Sequence, residues 1–209
     1  MNNAVAFHEN EALKGAFLHG AGLSEDAIGA LTPELMELIG KLLAGSLQGA
    51  IDLLALRSLV KQEVRTDVTM VVVRNNNPLK FFPDSQTVLT QMLRKKMPGF
   101  MEPVESLDDA WRDLRGHQLG VVAGTRAGMD GMLARLAPPS IEAALPSAGL
   151  LDRLLPARRS AAAWDLYRHE HGSVSGSIGA SGDPFSGAFG ASFRTAYEAE
   201  VARLERAAP

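Results

Sequence analysis

The chain contains no cysteine, few aromatic residues and no strong excess of charge of either sign. Of its 209 residues, 6% are aromatic, and the formal net charge is -3 at pH 7. Without cysteine there is no disulfide framework and no thiolate nucleophile. The small negative charge gives no electrostatic case for nucleic-acid binding. What remains is an ordinary globular composition, 46% hydrophobic and 22% charged.

The sequence also lacks the local signatures of common enzymes. It has no glycine-rich phosphate loop after a strand and no Gly-x-Ser-x-Gly motif. His169 and His171 lie two residues apart, so on a helix they point in different directions, whereas paired zinc ligands on one helical face lie four apart. His117 is interpreted as a surface or hydrogen-bonded buried histidine. We therefore expect no catalytic residue, no metal ligand and no bound cofactor.

Helical patterns account for most of the chain. Thr32 is a good N-cap, Pro33 suits a first helical turn, and apolar residues then follow helical spacing to about residue 65. A second long helix is predicted from a capping-box-like sequence at Ser106 to about Leu136. Residues 68–83 begin with a β-branched run and are expected to form an extended strap across the helices. The predicted fold is mainly α, a multi-helix bundle with two long helices and an extended strap near residues 68–83.

We expect a single helical domain over residues 1–209. Within it, residues 1–9 are predicted to be a flexible N-terminus and the Gly/Ser-rich residues 172–183 a flexible loop. No segment is expected to span a membrane, because charged residues interrupt the most apolar stretch, residues 35–60.

The segment from Arg74 to Asp84 has the most specific pattern in the chain. Asparagine tolerates left-handed backbone and bonds its own main chain, and a proline pushes the residue before it towards an extended conformation. Leu79 and Phe81 are expected to anchor the segment in the core, and Lys80 to lie in water. The predicted interaction or structural motif consists of Asn76, Asn77, Pro78, Leu79, Lys80 and Phe81. Anchoring of the chain and direct contact with a partner are both open roles for it.

A series of glycines spaced four apart is predicted to form a bare ridge along the second long helix. These are Gly116, Gly120, Gly124 and Gly128. Together they lower helix stability by about 3–4 kcal/mol relative to alanine, so the close approach of another backbone is expected to offset them. The region of Gly45 and Gly49 is the expected neighbour, and a homo-oligomer seam is the alternative.

A short basic run, Arg94, Lys95 and Lys96, falls near a predicted helix end. Positive charge suits that end of the helix dipole, which is the plain explanation of the run. The functional alternative is a basic contact with an acidic partner, in which Lys80 would take part.

Three short stretches of the chain, taken in order, form a recognisable sequence pattern. The first runs from Asn76 to Phe81; the second from Asp113 to Leu119, followed by Ala123-Gly124 and Arg126-Ala127; the third comprises Phe189-Gly190, Phe193, Ala196-Tyr197 and Glu198. In this order they resemble the C-terminal helical region of FHA-domain proteins of the bacterial type VI secretion system. The resemblance extends from about Leu13 to about Leu204.

The resemblance implies a non-enzymatic accessory or regulatory component of type VI secretion. Its partners would be apparatus proteins of the baseplate or membrane complex, and its location the cytoplasm at the inner face of the inner membrane of a Gram-negative bacterium. In that family an FHA domain that recognises phosphothreonine usually precedes this region. These residues contain no strand-rich N-terminus, so we expect the FHA domain to be absent and do not assign phosphothreonine recognition. The alternatives are a helical adaptor unrelated to secretion and an enzyme of unrecognised type.

Overall fold

The structure is a computed structural model that describes residues 2–64, 75–94, 98–147, 156–180, 185 and 187–207. The predicted strand over residues 68–73 lies outside the described residues, as do Lys95 and Lys96. The described part contains eight helices: α1 (Asn2–Ala21), α2 (Pro33–Val64), α3 (Pro78–Phe81), α4 (Ser85–Leu93), α5 (Pro103–Leu136), α6 (Pro138–Ala144), α7 (Pro156–Ala180) and α8 (Gly187–Arg206).

The prediction of a mainly α fold with two long helices is confirmed. Helix α2 has 32 residues and α5 has 34. Within the described ranges no strand forms, and the one β-type pairing is an isolated parallel bridge between Asn76 and Phe100.

The two long helices begin for different local reasons. At the start of α2, Oγ1 of Thr32 accepts a hydrogen bond from the backbone N–H of Leu35, 3.2 Å away, as the capping pattern predicts. Helix α5 begins one turn before the predicted Ser106, because Glu102 and Glu105 form a reciprocal capping box. The Ser106 hydroxyl instead donates to the backbone oxygen of Glu102, 2.7 Å away.

The predicted extended strap is wrong for residues 78–81, which form the single helical turn α3. Asn77 caps this turn, since its Oδ1 accepts from the N–H of Leu79 at 2.9 Å, and Pro78 occupies the first helical position. Extended backbone is found on both sides of this turn, at Phe82 after it and in the paired segment before the cap. There the N–H of Asn76 donates to the oxygen of Gly99 at 2.8 Å, and the N–H of Met101 donates to the oxygen of Asn76 at 3.0 Å.

Both segments predicted to be flexible have helical backbone where they are described. Helix α1 begins at Asn2, and α7 continues through Gly172 to Ala180. Val174 of α7 is 8% exposed, so the Gly/Ser-rich stretch contributes a buried side chain. A helix that has already formed upstream extends into poor helix formers without a new nucleation cost.

The hydrophobic core has two parts that share α5. The larger part joins α2, α3, α4 and α5 through Leu47, Ala50, Ile51, Leu54, Leu79, Val88, Ala110 and Leu114. The smaller part lies between α5 and α8, where Phe193 and Tyr197 are buried and Val121 and Val201 pack against them. Helix α5 therefore holds the two halves of the molecule together.

One described helix, α2, is long and apolar enough to cross a membrane by length and composition, despite its charged residues. In the structure its Leu47, Ile51 and Leu54 pack in the larger core. Core helices of soluble proteins meet the same criterion, so this composition alone is weak evidence for a membrane span.

Candidate interaction site

The three stretches distinguished in the sequence are linked in space by a series of polar contacts, called here the polar network. Its members are Arg57 of α2, Asn77 and Lys80 at α3, Asp109, Asp113 and His117 of α5, and Tyr197 of α8. On α5 the three members follow one another at intervals of four residues, so they share one face of the helix.

Asn77 fixes α3 to the first turns of α5. While its Oδ1 caps α3, its Nδ2 donates to the backbone oxygen of Ser106 at 2.7 Å and to Oδ2 of Asp109 at 2.8 Å. The side chain is 5% exposed, and Leu79 beside it is 1% exposed. An aspartate could accept the capping bond but could not donate the other two, so the position needs an amide.

Lys80 is exposed, as expected, but its ammonium group also forms two ion pairs that the sequence did not predict. Its Nζ lies 2.7 Å from Oδ2 of Asp109 and 2.7 Å from Oδ2 of Asp113. Asp109 and Asp113 are one helical turn apart, so a single ammonium group reaches both carboxylates. Lys80 is therefore committed within the chain and is a poor candidate for a basic contact with a partner.

Arg57 ties α2 to one of these carboxylates, that of Asp113. Its Nη2 lies 3.4 Å from Oδ2 of Asp113, and its side chain is 10% exposed. Among the described residues no group accepts a hydrogen bond from Nε of Arg57. A guanidinium so deeply buried depends on its carboxylate partner for compensation.

The polar network lowers the pKa of Asp109. Burial of Asp109 acts to raise its pKa, but the hydrogen bond from Asn77 and the ion pair with Lys80 together outweigh burial and lower that pKa. The first stretch of the sequence pattern therefore helps to lower the pKa of a residue on α5.

His117 and Tyr197 connect the second stretch to the third. Nδ1 of His117 lies 3.0 Å from Oη of Tyr197, and both residues are buried. Burial, followed by the positive charges of Arg57 and Lys61, lowers the pKa of His117, so the neutral imidazole is favoured. Burial likewise raises the pKa of the Tyr197 hydroxyl.

Three of the four glycines of the predicted ridge lie against α8, not against α2 as expected. A Cβ on Gly120 would lie 2.8 Å from Cδ2 of Tyr197, and one on Gly124 would lie 2.8 Å from Cδ2 of Phe193. A Cβ on Gly128 would overlap the ring of Phe189. The aromatic residues of α8 also recur every four residues, so the two series interlock and α8 lies close along α5.

The remaining glycines named in the sequence analysis have no such neighbour. No described atom lies within 4 Å of a Cβ built on Gly116, although Gly116 itself is buried. The same holds for Gly45 and Gly49 of α2, which are exposed.

Phe81 is exposed at the outer side of α3, which corrects its predicted role as a buried anchor. Its exposed fraction is 55%, while Pro78 and Leu79 of the same turn are buried. Leu79 and Phe81 are two residues apart, so on a helical turn they point in different directions. The Phe81 ring makes edge contacts with Phe82 and Phe100, at centroid distances of 5.1 and 5.3 Å.

Of the three residues in the predicted basic run, the structure describes only Arg94. Its backbone N–H caps α4 by donating to the oxygen of Thr90 at 3.3 Å, and the residue is exposed. Lys95 and Lys96 lie outside the described residues, so a basic contact there stays a prediction.

The His169–His171 segment is part of helix α7. Glu170 between the histidines forms an ion pair with Arg135, with Oε2 and Nε 2.7 Å apart. Within the described ranges no group of three His, Cys, Asp or Glu side chains is arranged to hold a metal ion.

Sequence reasoning missed the role of two network residues. In the sequence, Arg57 is one of several charges that interrupt the apolar stretch at residues 35–60, and Asp109 is one of the acidic residues that follow Ser106. Arg57 follows the core residues Ile51 and Leu54 at helical spacing. A charged residue in line with core residues indicates a buried ion pair, and this pattern could have identified Arg57 from the sequence.

A comparison with protein-family models agrees with the resemblance noted in the sequence. The model described as the C-terminal domain of Type VI secretion system FHA protein matches residues 19–200. No curated protein and no solved structure matches the chain. The matched range contains all seven residues of the polar network.

Proposed function

Because the chain belongs to the family of C-terminal domains of type VI secretion system FHA proteins, we propose that it is a non-enzymatic accessory or regulatory component of that system. It acts by binding a protein of the secretion apparatus, in the baseplate or the membrane complex. Its place is the cytoplasm, at the inner face of the inner membrane.

The observation that supports this proposal is the way in which Phe81 is held. Helix α3 is held in place by Asn77, by the ion pairs of Lys80 and by the bridge from Asn76 to Phe100, yet the Phe81 ring remains 55% exposed. An aromatic side chain on a rigid backbone loses little conformational freedom on binding, and such residues dominate the energy of many interfaces.

The polar network supports the proposal through its position. It joins the three stretches of the family pattern, and its charges are largely satisfied by one another. Lys80 is neutralised by two carboxylates, so the surface at Phe81 is expected to bind mainly through apolar contact. The expected partner surface is an apolar pocket that accepts a phenylalanine ring.

The test is Phe81→Ala in the native bacterium, with secretion and capture of apparatus proteins measured together. We expect capture of the apparatus partner to fall at least tenfold, since truncated interface anchors commonly lose about 2 kcal/mol or more. The melting temperature should change little, because Phe81 is mostly solvent-exposed. Trp164→Ala is the matched control, since Trp164 is a 61% exposed aromatic on α7.

Two outcomes separate the surface from the function. Normal capture with Phe81→Ala, in a bacterium that loses secretion when the gene is deleted, would keep the role and discard the Phe81 surface. Normal secretion after deletion of the gene would contradict the proposed function itself.

A further inference from the structure

Helix α2 has two apolar faces on opposite sides. One faces the core through Leu47, Ile51 and Leu54. At 3.6 residues per turn, a second set of residues falls in an arc of roughly 80° on the opposite side. This set, called here the outward face, consists of Leu38, Leu42, Gly45, Gly49, Leu53 and Leu56.

The outward face is open to solvent. The exposed fractions of Leu38, Leu42, Leu53 and Leu56 are 50%, 61%, 46% and 57%. No polar residue between Leu38 and Leu56 falls within the same arc. A continuous exposed apolar surface of this kind is typical of a protein–protein interface.

The centre of the outward face is formed by two glycines that lower the stability of the helix. Each glycine in a helix interior costs up to about 1 kcal/mol relative to alanine. The glycines of α5 are explained by the aromatic residues of α8, but no described atom lies within 4 Å of a Cβ on Gly45 or Gly49. Glycine at such a place permits the close approach of another backbone.

We propose that the outward face binds a second copy of this chain, as an antiparallel pair of α2 helices that cross at Gly45 and Gly49. In this arrangement Leu38 and Leu42 contact Leu53 and Leu56 of the partner subunit. By symmetry, Leu53 and Leu56 contact Leu38 of the partner subunit and Leu42 of the partner subunit. The same surface then serves both subunits, as two-fold symmetry requires.

The charges beside the outward face favour this occupant. Lys41 and Asp52 lie along one edge, six residues before and five residues after residue 47, the midpoint between the glycines. An antiparallel pair brings Lys41 beside Asp52 of the partner subunit twice, whereas a parallel two-fold pair places the two copies of this edge on opposite flanks of the interface, where Lys41 and Asp52 do not meet. In the single chain Lys41 pairs with Glu37, and both side chains are largely exposed, so Lys41 is accessible for a further contact.

The same edge argues against a lipid surface as the occupant. Helices that lie on membranes carry lysine and arginine along their polar face. Here the edge has Glu37 and Asp52 for one Lys41, so it is acidic overall. A second copy therefore fits the outward face better than an anionic membrane does.

The first experiment measures the mass of the chain by sedimentation over a range of concentrations. We expect a reversible dimer, and at least a hundredfold weaker dimer for the double variant Leu42→Glu with Leu53→Glu. Helix content measured by circular dichroism should be unchanged, because neither side chain is part of the core. The control, Leu119→Glu with Leu133→Glu, changes exposed leucines of α5 and should alter the dissociation constant less than twofold.

The second experiment uses the absence of cysteine from the chain. Leu38→Cys and Leu56→Cys lie on opposite sides of the glycine pair, so in an antiparallel dimer neither variant crosslinks to itself, whereas a mixture of the two does. Self-crosslinking of each variant alone would overturn the antiparallel arrangement. A chain that stays monomeric at every concentration would overturn the proposal. Binding of the monomeric chain to anionic vesicles would also overturn it, if the double variant Leu42→Glu with Leu53→Glu abolished that binding.

Discussion

At the scale of single residues, Asn77 has a chemical task that no other side chain can perform unchanged. Its amide accepts one hydrogen bond within α3 and donates two to α5, at a position that is 5% exposed. The asparagine-proline pattern in the sequence predicts a rigid corner, and Asn75 with φ 63° is in the left-handed conformation that asparagine tolerates. The two donor bonds to α5 could not be predicted, because they depend on where a helix 30 residues away lies.

We predict that Asn77→Asp destabilises the protein by about 2–3 kcal/mol, because it removes two buried donor bonds and places a second carboxylate beside Asp109. Chemical denaturation monitored by circular dichroism measures the change. Gln118→Glu makes the same amide-to-carboxylate change at an exposed position of α5 and should alter stability by about 0.5 kcal/mol or less. Equal effects of the two variants would contradict the role assigned to Asn77.

Lys80 and Phe81 show the limit of sequence reasoning at this scale. The sequence correctly distinguishes the turn that contains them, but it predicts neither the ion pairs of Lys80 nor the exposure of Phe81. Lys80 is drawn to Asp109 and Asp113, and Phe81 is left in solvent. The side of a four-residue helix that faces the core is set by packing against α2 and α5, and a turn this short has no periodicity from which to predict it.

At the scale of elements, the four glycines of the α5 series differ in what surrounds them. Three of its members receive aromatic side chains of α8, while Gly116 has open space where a Cβ would be. The spacing of four predicts a ridge and a close neighbour. The identity of the neighbour could not be predicted because two other glycines, Gly45 and Gly49, offered an equally good match in the sequence.

We predict opposite effects for alanine at two glycines of this series. Gly124→Ala should destabilise the protein by about 1–3 kcal/mol, because the new methyl group meets both the ring and the backbone oxygen of Phe193, the latter at 2.9 Å. Gly116→Ala should stabilise it by up to about 1 kcal/mol through helix propensity. Thermal unfolding of the two variants is the test, and a stabilising Gly124→Ala would show that α8 does not lie against this glycine.

Helix boundaries were predictable where capping chemistry is local, as at Thr32, and less so where competing signals exist. Ser106 resembles a helix start, but the glutamates of the preceding turn form the better capping box. The Gly/Ser-rich residues after His171 have loop composition, yet α7 continues through them. The composition of this stretch correctly indicates weak helix formers. It cannot predict that Val174 is buried, because burial depends on tertiary packing.

At the scale of the whole molecule, α5 joins two cores, and the polar network lies between them. The larger core joins α5 to α2, α3 and α4, the smaller core joins it to α8, and Arg57, Asp113 and His117 lie where these contacts meet. Hydropathy patterning could predict the cores as separate stripes. It could not place the charged residues between them, so the connection of the three sequence stretches emerged only from the structure.

The stability of the whole molecule should therefore depend on pH through His117. Burial and the neighbouring charges of Arg57 and Lys61 hold the pKa of His117 below the ordinary value of 6.5. Below about pH 6.5 the unfolded chain binds a proton at this residue that the folded chain resists, so the free energy of unfolding falls as the pH decreases. Above that value both states are neutral at His117, and its contribution is constant.

We predict that the wild-type melting temperature decreases between about pH 6.5 and pH 5, and that His117→Gln reduces this decrease. The carboxylate Asp109, whose pKa is lowered on balance, contributes its own loss of stability only in a more acidic range, below about pH 4. His169→Gln, at an exposed position of α7, is the matched control and should retain the wild-type pH dependence. The measurement is thermal unfolding at a series of pH values and constant ionic strength. If the wild type and His117→Gln showed the same slope over this interval, the histidine would not be the group that couples protonation to the junction of the two cores.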